Sequence, residues 1–348
     1  MELELKSDFE RARRRWDAFW RGEALDRPIF QIVVRKPGSA GTPRPYPVRP
    51  DRDPAPQIDQ TLAAARDCEY LAEAIPTFML EFGPEHFAAL LGSELRYPPD
   101  RPETGWALPF VDDWDDAEIG LKRDSLYWQR TIEFVRAWRA RCDGTLLVNA
   151  PVLSAGLDAL AAIRGPERLL LDLVDCPPKV HRALEAVRRA YHEVVTVLAD
   201  ELGWLDTGSA DWNGMYCSGR AQTIQCDFSC MIGRERFGEF AVPCLHHQAG
   251  HYDAVTYHLD GPQAAHHLEA ICAIPEIGVI QYVPVPGETP EHVEGVYRDA
   301  LSLGKGVVRG ADPETIRRMW DESPDRRLVF SLWMGSRKEA EEFLASFD

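Results

Sequence analysis

The sequence predicts an α/β protein, a (β/α)8 TIM barrel with an N-terminal helix and an insertion near residues 92–120. Three observations predict it. Eight short β-branched or aromatic runs begin near Pro28, Pro76, Thr145, Trp204, Asp253, Gly278, Lys305 and Arg327, and nearly all are followed by a helical pattern. From Gly203 to the end, strand and helix alternate without interruption. No strand is followed by G-x-G-x-x-G or G-x-x-x-x-G-K, so nothing marks a nucleotide cofactor. A doubly wound open sheet is the alternative architecture.

The chain has 348 residues, 45% of them hydrophobic, which suits one large domain spanning 1–348. Residues 1–27 form a helical extension in which Phe9, Trp16, Phe19 and Trp20 recur at helical spacing behind a Ser7/Glu10 capping box. Pro28–Arg35 reads as the first strand, and residues 36–56, rich in Pro and Gly, as a long loop. A helix over Ile58–Ala74 leads to a strand ending at Glu81, then a short helix near Glu85–Leu91. The insertion follows, with a hairpin expected around Trp106–Val111. After it come a helix at Ser125–Arg141, the strand Thr145–Asn149, helices at Leu157–Ile163, Pro166–Leu173 and Pro178–Leu202, and a fourth strand over Trp204–Trp212. A loop carrying Cys217, Gln225, Cys226 and Asp227 then enters a helix at Arg234–Gly250. The remaining strands are Asp253–Asp260, Gly278–Val283, Lys305–Arg309 and Arg327–Trp333, with helices at Pro262–Ala273, Pro290–Leu303, Pro313–Asp321 and Ser336–Phe347.

The net charge of -17 and the lack of any long Lys/Arg cluster argue against a nucleic-acid or anionic-membrane surface. The N-terminus lacks a signal-peptide core and no apolar run is long enough to span a bilayer, so a cytoplasmic location is expected. The eight cysteines contain no C-x-x-C pair. Cys226 and Cys230 are spaced for one helix face, a weak metal signal against the plainer reading of two small buried side chains.

In a barrel of this kind the site is built from the C-terminal ends of the strands. Those ends carry Glu81, Asn149, Asp211 with Trp212, His258 with Asp260, Gln281, Arg309, and Ser331 with Trp333. His258 and Asp260, two apart on a strand, project to one face about 6–7 Å apart. Two chemistries fit a set of carboxylates, an imidazole and a guanidinium. A divalent metal such as zinc would sit on His258 and Asp260. Alternatively, Asp211, Asp227, His258 or Asp260 would transfer protons. Glu81, Asn149, Trp212, Gln281, Arg309 and Trp333 are the expected substrate contacts, the tryptophans walling the pocket. The expected partner of the site is a small molecule. No G-x-S-x-G elbow supports nucleophilic serine chemistry.

The second half resembles the uroporphyrinogen decarboxylase superfamily, which includes cobalamin-linked methyltransferases. The resemblance rests on Q-C-D-F-S-C-M-I-G-R-E-R-F-G-E-F-A-V-P-C-L at 225–245, Y-H-L-D-G at 257–261 and I-Q-Y-V-P at 280–284. It implies a barrel enzyme, a methyltransferase or a carboxy-lyase, with a homodimer as a family expectation. The decarboxylases carry R-Q-A-G-R after the first strand, where this chain reads Q-I-V-V-R-K-P-G. The methyltransferases hold zinc with a His-x-Cys pair and a later cysteine. Here His258 matches the histidine, Asp260 stands in place of the cysteine, and V-F-S-L-W-M-G at 329–335 has none. The leading expectation is methyl transfer from a small substrate to a corrinoid, carried by a partner protein, or to a thiol. The alternatives are cofactor-free decarboxylation, with Asp227 or Asp211 stabilising a pyrrole-like cation and Arg309 holding a carboxylate, and a non-catalytic barrel that binds a small ligand or a corrinoid partner.

Overall fold

The computed structural model describes residues 2–101, 104–323 and 327–347; Pro102 and Glu103 of the expected insertion lie outside them, as do residues 1 and 348 of the expected domain. Its strands are β1 (Ile29–Arg35), β2 (Cys68–Ala72), β3 (Thr77–Met79), β4 (Leu95–Arg96), β5 (Trp106–Ala107), β6 (Leu147–Asn149), β7 (Ser209–Ala210), β8 (Tyr216–Cys217), β9 (Ala221–Gln225), β10 (Ala254–Asp260), β11 (Ile277–Val283), β12 (Gly306–Arg309) and β13 (Leu328–Met334). Seven of them form one sheet in the order β2-β1-β13-β12-β11-β10-β9, parallel throughout except for the antiparallel edge β2. β3 and β6 form a separate parallel pair, and two small antiparallel pairs are β4 with β5 and β7 with β8.

The ladder is not closed among the described residues, yet the large sheet is rolled. Asn213 alone shows this. Its carbonyl oxygen accepts from Gln31 Nε2 on β1 at 2.9 Å, and its Nδ2 donates to Thr223 Oγ1 on β9 at 3.3 Å. Those strands lie five places apart in the sheet, roughly 24 Å if it were flat. One residue touches both only because the sheet curls on itself. The architecture is therefore mixed α/β with a central, mostly parallel, barrel-like sheet.

Inside and outside follow the strand period of two. Outward positions such as Phe30, Val255, Tyr257, Ile280, Val307 and Phe330 join the large apolar cluster shared with the outer helices. Inward positions Ile29, Leu147, Val279, Val308 and Val329 make a second cluster with Phe9, Ala12, Trp16 and Phe19 of the helix Phe9–Trp20. That amphipathic helix closes the N-terminal end of the barrel, and Trp16 and Trp20 anchor it through indole hydrogen bonds to the Glu73 and Tyr216 carbonyls. The Ser7/Glu10 capping box does not form. The N-cap falls one residue later, on Asp8, whose carboxylate is taken by Lys6 and Arg11.

Two expected elements are corrected. The helix expected to run to Ala74 spans Pro54–Arg66, and Cys68–Ala72 adds to β1 as an edge strand whose carbonyls are covered by buried Lys6. The expected fourth strand, Trp204–Trp212, does not exist either. Gly203 ends the helix Pro177–Leu202 in the left-handed conformation, Trp204–Thr207 is one helical turn, and Ser209–Cys217 is the short β7/β8 hairpin. The strand that follows is β9, which pairs with β10 at the edge of the large sheet, in residues expected to be loop.

Candidate functional site

Below the mouth of the barrel, the β7/β8 hairpin fills the interior with residues 211–215. Asp211 Oδ2 accepts from Thr223 Oγ1 at 3.0 Å and Oδ1 from the Met215 N–H at 3.0 Å; Thr256 Oγ1 lies 3.4 Å from Met215 Sδ. The hairpin tip is the floor of the site. Asp211 is buried within that turn, and burial pushes its carboxyl upward. It holds the floor and does not face the mouth cluster.

Above the floor, β10 delivers His258 and Asp260 to one face, as the period of two requires. Their β11 neighbours in register are Gln281 and Val283. Asp227 joins them from the first residue of the 3-10 helix Asp227–Met231, immediately after β9. Ligand atoms of Asp227, His258 and Asp260 all lie within 4.8 Å of one another. No other group of three potential metal-ligating residues is found among the described residues. Cys226 is buried and Cys230 exposed, and neither belongs to such a group.

The orientation of His258 follows from its neighbours. Trp212 Nε1–H, which can only donate, points at Gln281 Oε1 at 3.1 Å, so the amide presents its oxygen. His258 Nδ1 lies 2.9 Å from that same oxygen and must donate to it. A neutral imidazole then leaves Nε2 with a free lone pair, the arrangement by which proteins orient a metal-binding histidine. The Trp212 ring packs edge-on against the imidazole at 4.7 Å.

Asp227 is set by two further groups. Gln225 Nε2 donates to its Oδ2 at 2.8 Å, and Asp158 accepts the backbone N–H groups of Asp227 and Phe228 at 3.1 and 2.9 Å. Burial pushes the Asp158 carboxyl up to about 7, with the neighbouring Asp227 adding to it. The Asp227 carboxyl is also raised, by burial first and by Asp260, against the opposing effect of His258. Asp158 was not expected from the sequence. It sits at the start of the helix Leu157–Arg164, not at a strand end, and the local signal available was an acid in a helix's first turn.

The other expected contacts divide. Gln281 and Trp212 belong to the His258 network. Glu81 is fully buried after β3 and bonded to Tyr46 of the long loop; burial raises its carboxyl to about 8. Asn149, also buried, accepts the Ala210 N–H on Oδ1, and its Nδ2 has no partner. Trp333 is 68% exposed at the end of β13. Arg309 lines a cavity of about 250 Å³ with Gln281, Asn213 and Ser331, but its guanidinium is bound to Glu294 at 2.6 Å and stacked on Tyr297 at 4.3 Å. A second cavity, about 300 Å³, opens beside Asp158 and Asp227.

With this geometry in view, the comparisons bear on the fold. A methyltransferase from Methanosarcina mazei has the same overall fold. The likeness has a TM-score of 0.62 over 97% of this chain and 98% of that one, at 11% sequence identity. No protein-family model matches the chain, and no curated protein matches its sequence. No helix among the described residues is long and apolar enough to cross a membrane.

Proposed function

We propose that the chain is a methyltransferase of the uroporphyrinogen decarboxylase-like superfamily whose reaction centre is the Asp227–His258–Asp260 group. The observation that carries this reading is the Trp212–Gln281–His258 relay, which leaves the lone pair on Nε2 of a histidine grouped with two carboxylates. One imidazole and two carboxylates form a harder donor set than the thiolate sets of zinc sites, and suit zinc, manganese or ferrous iron. A divalent cation bound there supplies Lewis acidity to an acceptor or a leaving atom. The fold likeness to a methyltransferase supports the reaction class.

The acceptor is a thiol, or a corrinoid presented by a partner protein. For a thiol, R–X–CH3 and R′–S–H become R–X–H and R′–S–CH3. The sulfur lone pair makes the new bond to carbon, the C–X pair stays on X, and the acceptor's proton ends there. Gln281 keeps His258 in the metal-binding tautomer, Asp158 and Gln225 hold Asp227 in place, and the hairpin floor keeps water out from below. Decarboxylation lacks a comparable observation, because the Arg309 guanidinium is already paired with Glu294.

Metal analysis and a transfer assay test the proposal together. The purified or metal-loaded protein is expected to hold about one divalent ion per chain, lost in His258→Ala, and to move a methyl group from a small methyl ether to a thiol. Protein that stays metal-free after loading, or binds metal equally well as His258→Ala, overturns it.

A further inference from the structure

The cavity of about 300 Å³ beside Asp227 lies at the small end of the range of ligand pockets, about 300–1,000 Å³. It is roofed by the segment after β3 and floored by the helix Leu157–Arg164 and the 3-10 helix Asp227–Met231. Its apolar wall includes Ala88, Ala161, Ala162, Phe228 and Met231. Small alanines on two helices leave the space, and Phe228 and Met231 supply a polarisable surface against it. Among the described residues its ionisable lining groups are Glu85, Asp158 and Asp227, with no lysine or arginine. Asp227 belongs both to this wall and to the candidate metal group, so a molecule in the cavity lies against the reaction centre.

We infer that this cavity receives the body of the substrate, and that the substrate is a small molecule with an apolar frame and a neutral or positively charged polar end. The inference rests on the reading of the Asp227–His258–Asp260 group as the reaction centre. An anion is turned away for two reasons. Among the described lining residues no guanidinium or ammonium is present to pair with it, and it would meet three carboxylates beside a mostly apolar wall. The pocket also sets an upper size. A ring with one short substituent fills it, and a tetrapyrrole does not enter.

A matched series tests this: benzylammonium, benzyl alcohol and benzoate share a ring and differ in charge. Titration calorimetry is expected to show the first two binding to the wild type, and benzoate binding at least about tenfold more weakly. Ala161→Leu, which fills the cavity from a partly exposed position, is expected to weaken benzylammonium by about tenfold or more while leaving Zn2+ or Mn2+ affinity unchanged. Should that variant fail to fold, Met231→Trp closes the same cavity from its exposed rim. Benzoate binding as tightly as benzylammonium, no binding by any of the three, or a filled cavity with undiminished binding overturns the inference. His258→Ala separates the two proposals: loss of metal with benzylammonium binding retained supports both, and a protein that binds benzylammonium but never metal removes only the metal reading.

Discussion

Gln281 decides what His258 is able to do. Its oxygen is fixed by an indole that can only donate, so replacing the amide frees the ring and both tautomers become available. Gln281→Leu is expected to weaken divalent-metal binding by about 10–100-fold, read by competition with a chelating dye, with little change in melting temperature. Glu81 makes the opposite kind of statement, about stability. Its folded carboxyl titrates at about 8 against an ordinary value of 4.5, because burial disfavours the charge. Folding thus favours the protonated form. Stability is full below the ordinary value, declines as pH rises toward about 8, and is flat beyond. Glu81→Gln is expected to flatten that decline and to raise the melting temperature at pH 8 but not at pH 4.5. Both residues were legible in the sequence as polar ends of apolar runs. Asp158 was not, because it acts on Asp227 through backbone amides some seventy positions away, and no local pattern reports such a contact.

At the scale of elements, seven of the eight expected strands have a counterpart and one was in the wrong place. W-L-D-T-G-S-A-D-W looks extended, but Gly208 adopts φ 70° and ψ -173°, which a residue with a side chain rarely takes, and turns the chain into the hairpin. The true strand, A-Q-T-I-Q, holds two amides and a hydroxyl among five residues, since its inward face meets the polar hairpin and its outward Gln222 bonds the Pro151 carbonyl. The pattern of hydrophobicity therefore hid it, and only Thr223 and Ile224 hinted at a strand. A Cβ on Gly208 would stand 2.4 Å from the Cys217 carbonyl oxygen. Gly208→Ala is expected to cost about 2 kcal/mol or more in chemical denaturation and to disturb Trp212, hence the orientation of His258.

For the whole molecule, alternation of strand and helix carried the fold class, because each such unit buries one face of a sheet and needs the next to continue it. The contacts that hold the roll were not legible. They depend on side chains from distant strands meeting over one loop, as Gln31 and Thr223 meet at Asn213. The same overall shape at 11% identity to another chain shows how loosely sequence is bound to fold.

The hairpin floor has one more consequence. Its tip is tied to the barrel by side-chain hydrogen bonds and not by a strand ladder, so its length can change without breaking the sheet. The depth of the chamber is then an independent variable, adjustable by lengthening or trimming a single loop while His258, Asp260 and Asp227 stay where they are. Because that loop blocks the axis, whatever enters by the mouth must also leave by it, and a second reactant has to wait its turn or share the doorway.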